Sequence, residues 1–276
     1  MKHRIRTAFV VILIVSFAAG LVTADVPIPF SLKRGIPEIE VIINDSIKAS
    51  FVIDTGADHI YIDKTFAEKH GLLSGRTQAM RPTRGSKGGT EAKLFKVESL
   101  KFGEHAFRDI SMVAIDLVSQ IKDTSMGSPD GVLGSNFLRT IPLILDYVHY
   151  QIRFQALRKA AVSAIVPFEL RRHFIIVNAS INDSVKTKMI LDTGSSYTIL
   201  TPNVARSLGL AGNESHNSIV NVTLDEEYTI DEVVVLIRDI SELDADSEIG
   251  GIIGTTFLQE SILFINWDSQ ELWFDH

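Results

Sequence analysis

The chain carries two copies of one pattern. Ile39–Gly56 reads IEVIINDSIKASFVIDTG and Val177–Gly194 reads VNASINDSVKTKMILDTG, aligned without a gap at an offset of 138. The match continues from Asp63–Leu72 to Thr201–Leu210, where both copies read as a short helix. Asp63 or Thr201 stands at the N-cap, Pro202 at the first helical position, and Gly71 or Gly209 past the end. Further on, Gly131-Val132-Leu133-Gly134 matches Gly251-Ile252-Ile253-Gly254 at an offset of 120, so the second copy is 18 residues shorter in between. A duplication of roughly 120 to 135 residues per copy means two homologous lobes. A solenoid needs three or more shorter units.

Within each copy the pattern is mostly strand. Ile39–Ile43 and Ile47–Ile53 are β-branched runs on either side of Asn44-Asp45-Ser46, a hairpin signal that Phe174–Ile181 and Val185–Leu191 repeat. Leu143–Tyr147 with Gln151–Phe154, and Leu263–Trp267 with Glu271–Phe274, read as two more strand pairs. Helical patterns are few and short. The expectation is an all-β chain of two small closed lobes, residues 25–157 and 158–276. Leu157–Pro167, which shows no strand alternation, is read as the connection.

Composition narrows the chemistry. The 276 residues include no cysteine, which removes disulfides, thiol nucleophiles and zinc-thiolate or iron–sulfur sites. A net charge of −7 argues against a nucleic-acid partner, which favours a basic surplus. At the N-terminus, Lys2, Arg4 and Arg6 precede an apolar run from Ala8 to Val22 and the small-residue site Val22-Thr23-Ala24. This is the order of a secretory signal, with cleavage expected after Ala24. The run falls short of the approximately 20 apolar residues of a spanning helix. The chain is therefore expected to be exported, periplasmic or secreted. Membrane association is expected only if residues 1–24 are retained as an anchor. His70, His105 and His173 are scattered and lack metal-ligand spacing, and Asp244-Ala245-Asp246 with Glu248 lacks the frame of a calcium loop. No metal or cofactor is expected.

The chemistry sits at the end of the repeated strand. Phe51-Val52-Ile53 and Met189-Ile190-Leu191 each run into Asp-Thr-Gly. An apolar strand carries an aspartate to a water-poor interface, a threonine hydroxyl can brace neighbouring backbone, and a glycine allows a sharp turn beside the carboxylate. If the copies meet about a two-fold axis, Asp54 and Asp192 meet too. Two adjacent carboxyls cannot both ionise, so they share a proton. One then serves as base toward a water and the other as acid toward a carbonyl oxygen.

On these residues the sequence resembles the aspartic peptidases of the pepsin/retropepsin superfamily, and more closely the bacterial retropepsin-like proteins. Asp54-Thr55-Gly56-Ala57-Asp58 is similar to the retroviral signature and Asp192-Thr193-Gly194-Ser195-Ser196 to that of the first pepsin lobe. Gly131–Gly134 and Gly251–Gly254 resemble the hydrophobic-glycine segment that threads beneath the catalytic loop. The likeness runs from about Ile39 to Phe274. It implies a bilobal acid-protease fold of two small β-barrel lobes with short helices, and an endopeptidase acting on polypeptide substrates. Asp54 and Asp192 map onto the catalytic dyad, supported by Thr55, Gly56, Thr193, Gly194 and Ser195, with Thr55 and Thr193 interlocking the two loops. A flap hairpin is implied between each helix and its glycine segment. Its tip in the first lobe is placed at Gly85, Gly88 and Gly89, whereas Ser215–Tyr228 of the second lobe has no glycine and suggests a short or stiff flap. The pepsin flap tyrosine has no counterpart between Ala79 and Lys96. Two lobes in one chain imply a monomer. The competing expectation is a catalytically silent exported peptide-binding protein on the same fold.

Two asymmetries between the copies carry expectations of their own. Ser195 follows Gly194 where Ala57 follows Gly56, so a hydroxyl beside Asp192 would favour its charged form and leave the proton on Asp54. Charge also divides unevenly. Residues 25–158 carry 17 basic and 16 acidic groups, and residues 159–276 carry 7 and 18. The expected first flap region is basic (Arg76, Arg81, Arg84, Lys87, Lys93, Lys96), and the expected second is acidic (Asp225, Glu226, Glu227, Asp231, Glu232). A cleft between them would orient a substrate by charge, or the lobes would simply attract one another.

Overall fold

Each repeat closes into a six-stranded barrel. The computed structural model describes residues 26–80, 92–120, 127–155, 162–210, 218–243 and 248–275. The N-terminal 1–24 segment, the glycines Gly85, Gly88 and Gly89, and residues 157–161 of the expected connection lie outside the described residues.

In the first lobe the strands Ile36–Ile43, Ile47–Ile53, Gly131–Leu133, Tyr61–Asp63, His105–Ile115 and Ala92–Phe102 pair in that order. Pairing of Ile42 and Ile43 with Lys101 and Leu100 closes the ring. The second lobe repeats it with Phe174–Ile181, Val185–Leu191, Ile249–Ile253, Thr198–Leu200, Tyr228–Ile237 and Ser218–Leu224, closed by Ala179–Ile181 against Val222–Leu224. Alternation accounts for the interior: Ile39, Val41, Ile43, Phe51 and Ile53 of the first barrel, and Ile175, Val177, Ile181, Met189 and Leu191 of the second, are buried on one cluster. The repeated Asn-Asp turns hold both barrels shut. Asn44, Asp45, Asn182 and Asp183 all take positive φ, which asparagine and aspartate tolerate. The Asn44 Oδ1 accepts the Glu98 N–H at 2.8 Å, and the Asn182 Oδ1 accepts that of Asn221 at 2.8 Å.

A third sheet joins the lobes. Its order is Ile28–Pro29, Gln151–Arg153, Ile144–Asp146, Ile262–Asn266, Glu271–Asp275 and Ala164–Pro167. The two expected strand pairs are both there, and Ile144–Asp146 pairs antiparallel with Ile262–Phe264 across the lobe boundary. This pairing was not apparent from the repeat, because a strand pair does not name its outside neighbour. Part of the expected connection also proves to be strand. Ala164–Pro167 pairs with Glu271–Phe274, and Val166 is fully buried, although the run shows no alternation in sequence.

Two short helices follow the aspartate loops as expected. Lys64–Lys69 is capped by Asp63, whose side chain accepts the Phe66 N–H at 3.0 Å, and Pro202–Ser207 by Thr201. Gly71 and Gly209 adopt φ of 67° and 70° just beyond them. Their role is conformational, since nothing lies within 4 Å of a Cβ at either site.

The lobes differ where the second is shorter. In the first, Gln78–Met80 adds to the edge of Ala92–Phe102. In the second, the segment expected to be a flap is instead barrel wall. Ser218–Leu224 pairs with Tyr228–Val235 and matches the first-lobe hairpin Ala92–Ile115. Asp225 and Glu226 sit at its turn, where Asp225 accepts from Asn178 and Glu226 pairs with exposed Lys186 at 2.8 Å. Lys186 is near the far end of the strand from Asp192, so these two acids stand on a solvated turn away from the aspartate loop.

Candidate active site

The geometry starts from two parallel strand pairs. Phe51, Val52 and Ile53 register with Gly131, Val132 and Leu133, and Met189, Ile190 and Leu191 with Gly251, Ile252 and Ile253. Pairing continues one residue further, where the N–H of Asp54 donates to the Leu133 carbonyl and that of Asp192 to the Ile253 carbonyl, both at 3.0 Å. Each aspartate thus leaves its barrel at a fixed point. The loops then fold over the second glycine of each Gly-x-x-Gly segment. A Cβ at Gly134 would lie 2.2 Å from the His59 carbonyl oxygen, and one at Gly254 would lie 2.3 Å from that of Tyr197. Both positions require a bare backbone. The Ser135 and Thr255 N–H groups close the contact on the carbonyls of Ala57 and Ser195 at 2.8 and 2.9 Å.

The loops lock to each other through their threonines, which are fully buried. The Thr55 hydroxyl donates to the Leu191 carbonyl at 2.9 Å and accepts the Thr193 N–H at 3.1 Å. Reciprocally, the Thr193 hydroxyl donates to the Ile53 carbonyl at 2.8 Å and accepts the Thr55 N–H at 3.0 Å. Four hydrogen bonds therefore cross the boundary in two-fold fashion. This cross-bracing brings Asp54 and Asp192 together, and their carboxyls hydrogen-bond directly. Gly56 and Gly194 make room for the meeting. A Cβ on Gly56 would lie 2.7 Å from the Asp192 Cγ, and one on Gly194 would lie 2.4 Å from the Asp54 Cγ.

Backbone donors hold the carboxyls. The Asp54 Oδ1 accepts the N–H groups of Gly56 at 2.7 Å and Ala57 at 3.0 Å, and the Asp192 Oδ1 accepts that of Gly194 at 2.8 Å. Burial among protein atoms, then the charge of Asp192 and the hydrogen bond to it, push Asp54 well above the usual carboxylate range. Burial also raises Asp192, but the Asp54 carboxyl and the N–H groups of Gly194, Gly56 and Ser195 pull back against it. Asp54 is raised the more strongly although the Gly56 and Ala57 N–H groups oppose it, which favours the shared proton on Asp54 and the charge on Asp192. This is the direction the Ser195 hydroxyl was expected to impose, but the hydroxyl is not its cause. The Ser195 Oγ donates to the Tyr197 carbonyl at 2.8 Å, because backbone N–H groups already serve the carboxylate.

Three neighbours were not singled out from sequence. Asp58 accepts from the Tyr61 hydroxyl and lies 3.1 Å from the His59 Nδ1. His173, read only as a scattered histidine, reaches over from the second lobe to the Gly56 carbonyl at 3.1 Å. Reciprocally, the Ser196 hydroxyl donates to the Arg34 carbonyl at 2.5 Å. The offset of 138 held the signal, since it aligns His173 with Gly35, on the turn that meets Ser196. Among the described residues, no group of three or more histidines and carboxylates is gathered so as to hold a metal ion.

Two closed barrels on a shared sheet, each lending an Asp-Thr-Gly loop to one carboxyl pair, define the bilobal acid-protease class. A family model described as aspartyl protease matches residues 39–137 and 177–257, and the chain belongs to that family. Among solved structures, the aspartic proteinase from Irpex lacteus superposes with a TM-score of 0.63 at 13% identity, covering 91% of this chain and 97% of that one. At that identity the likeness concerns the fold. No curated protein matches the sequence.

Proposed function

We propose that the chain is an aspartic endopeptidase in which Asp54 and Asp192 hydrolyse a peptide bond without metal or cofactor. The observation that carries this reading is the meeting of two buried aspartates, Asp54 and Asp192, on loops cross-braced by the exchanged hydrogen bonds of Thr55 and Thr193. Ionised Asp192 takes a proton from a water, whose oxygen attacks the scissile carbonyl carbon. Protonated Asp54 gives its proton to the carbonyl oxygen. The tetrahedral intermediate then expels the amine, which leaves with the proton Asp192 had gained. The intermediate's hydroxyl returns a proton to Asp54, and the pair is restored. Thr55 and Thr193 hold the separation of the carboxyls. Gly56 and Gly194 keep the space beside them, and the Gly194 N–H favours charge on Asp192. The glycine-rich segment with Gly85, Gly88 and Gly89 is proposed as the flap over a polypeptide substrate. The basic, apolar and small-residue order of residues 1–24 supports export, and the presence of both lobes in one chain supports a monomer.

The test is Asp54→Asn and Asp192→Asn against a peptide library, with a statine-type transition-state analogue as the binding probe. Each variant should lose about 10²- to 10⁴-fold in kcat/KM while remaining folded. Full cleavage by either variant would refute the mechanism. A wild-type protein that binds peptides and cleaves none would instead be the silent binding protein.

A further inference from the structure

The strands Glu169–Arg171 and Phe174–Ile181 are joined by the tight turn Arg172-His173, which leans from the second lobe onto the loop after Asp54. There the His173 Nε2 is 3.1 Å from the Gly56 carbonyl oxygen. A carbonyl only accepts, so Nε2 carries the hydrogen. This carbonyl belongs to the same peptide unit as the Ala57 N–H, which donates to the Asp54 Oδ1 at 3.0 Å. One peptide therefore links an imidazole of the second lobe to the candidate catalytic carboxyl of the first.

We propose that His173 is a positioning residue for the carboxyl pair: from the opposite lobe it fixes and polarises the Gly56–Ala57 peptide, which in turn holds Asp54. The proposal rests on the reading of Asp54 and Asp192 as the catalytic pair. Its physical content is twofold. A donor on the carbonyl restrains the plane of the peptide, and so the aim of its N–H at Asp54. It also strengthens that N–H as a donor, because hydrogen bonds in a chain polarise one another. A stronger donor stabilises the Asp54 anion, so His173 offsets part of the rise that burial and Asp192 impose. The proton on Asp54 is thereby easier to release to a substrate carbonyl.

The surroundings favour a neutral donor. Burial has the largest effect on His173 and lowers it from the usual histidine range, and Arg139, which follows the helix Ser135–Leu138, acts in the same direction. Asp58, the Gly56 carbonyl and Asp54 oppose this. The neighbouring Phe174 ring is 3.9 Å away, centre to centre. Among the described residues the device occurs once. At the equivalent position of the first lobe stands Gly35, which has no side chain, and there the Ser196 hydroxyl donates to the Arg34 carbonyl. Among the described residues only the Asp54 loop receives an imidazole, so the contact acts on Asp54 alone and narrows its difference from Asp192.

The test is a ¹³C NMR titration of the Asp54 carboxyl in the full chain, for wild type, His173→Gln and His173→Phe. Glutamine keeps a neutral N–H donor, and phenylalanine keeps the ring volume without one. With phenylalanine the Asp54 titration should move up by about 0.3–0.5 pH unit, and with glutamine it should return to the wild-type position. The alkaline limb of kcat/KM should move in step, through kcat more than KM. An unmoved Asp54 titration in His173→Phe, or a glutamine variant that behaves like phenylalanine, would overturn the proposal. Should the phenylalanine variant fail to fold, His173→Ala takes its place with the same expectation. The titration needs no turnover, so it judges His173 even in a protein that cleaves nothing. Only the aspartate variants judge the catalytic reading.

Discussion

Thr55→Val is the most searching test of how the lobes hold their carboxyls together. Valine nearly matches threonine in shape, so packing is preserved while the hydroxyl is lost. Two partners are then stranded in a fully buried place: the Leu191 carbonyl, which accepted at 2.9 Å, and the Thr193 N–H, which donated at 3.1 Å. Leaving a buried polar group unsatisfied costs about 1–3 kcal/mol, so stranding two should destabilise by about 2–6 kcal/mol. That is a large share of the total stability of an ordinary domain. Thr55→Ser is the control. It keeps both hydrogen bonds and removes one methyl group, at about 1 kcal/mol. Urea unfolding followed by fluorescence reads both, and an unchanged slope would show that the midpoint reports stability alone. The two-fold exchange makes the same claim for Thr193→Val, which strands the Ile53 carbonyl and the Thr55 N–H. Equal midpoints for the valine and serine variants would refute the assignment of this energy to the hydroxyls.

Further outcomes are expected elsewhere. Gly194→Ala sets a methyl 2.4 Å from the Asp54 Cγ, so it should force the carboxyls apart and cut proteolysis by at least about 100-fold with the fold intact by circular dichroism. Glu38 is buried, which by itself raises its carboxyl, but hydrogen bonds from Lys33 and Ser50 and the charges of Lys33 and Arg34 outweigh this and hold it below the usual range. The stabilisation it lends is present above the unfolded value and lost as pH falls through the folded one. Glu38→Gln should therefore lower Tm at pH 7 and much less at pH 3 in a calorimetric scan. The Tyr147 hydroxyl is fully buried with no hydrogen-bond partner among the described residues. Tyr147→Phe should accordingly leave Tm unchanged or raise it by up to a few degrees, and a fall equivalent to about 2 kcal/mol would show that the hydroxyl is satisfied after all.

Much of the site was legible because its parts lie close together along the chain. Asp54, Thr55 and Gly56 sit at the end of one apolar strand, and the constant offset to Asp192, Thr193 and Gly194 indicated that two such ends exist. The paired helices followed from local capping by Asp63 and Thr201. Other features depended on what lay across a gap. Ala164–Pro167 shows no alternation of residue type, and only the neighbour Glu271–Phe274 makes it a strand. The Ser215–Tyr228 region read as a flap because it occupies the flap's place in order. Its described strand, Ser218–Leu224, instead pairs with Tyr228–Val235 as barrel wall. The Ser195 hydroxyl was assigned to a carboxylate by adjacency, yet the Tyr197 carbonyl was nearer to hand.

The division follows from the range of the forces involved. Strand alternation, turn residues, caps and the duplicated Asp-Thr-Gly are local or repeated, so residue order alone determined two homologous β lobes and the presence of a matched pair of aspartates. Hydrogen bonds between lobes are directional over about 3 Å, and no spacing along the chain encodes which carbonyl a distant side chain will meet. Tertiary structure alone decided that Thr55 and Thr193 exchange partners, that Ile144–Asp146 joins Ile262–Phe264, that burial raises both Asp54 and Asp192, and that His173 reaches the Gly56 carbonyl.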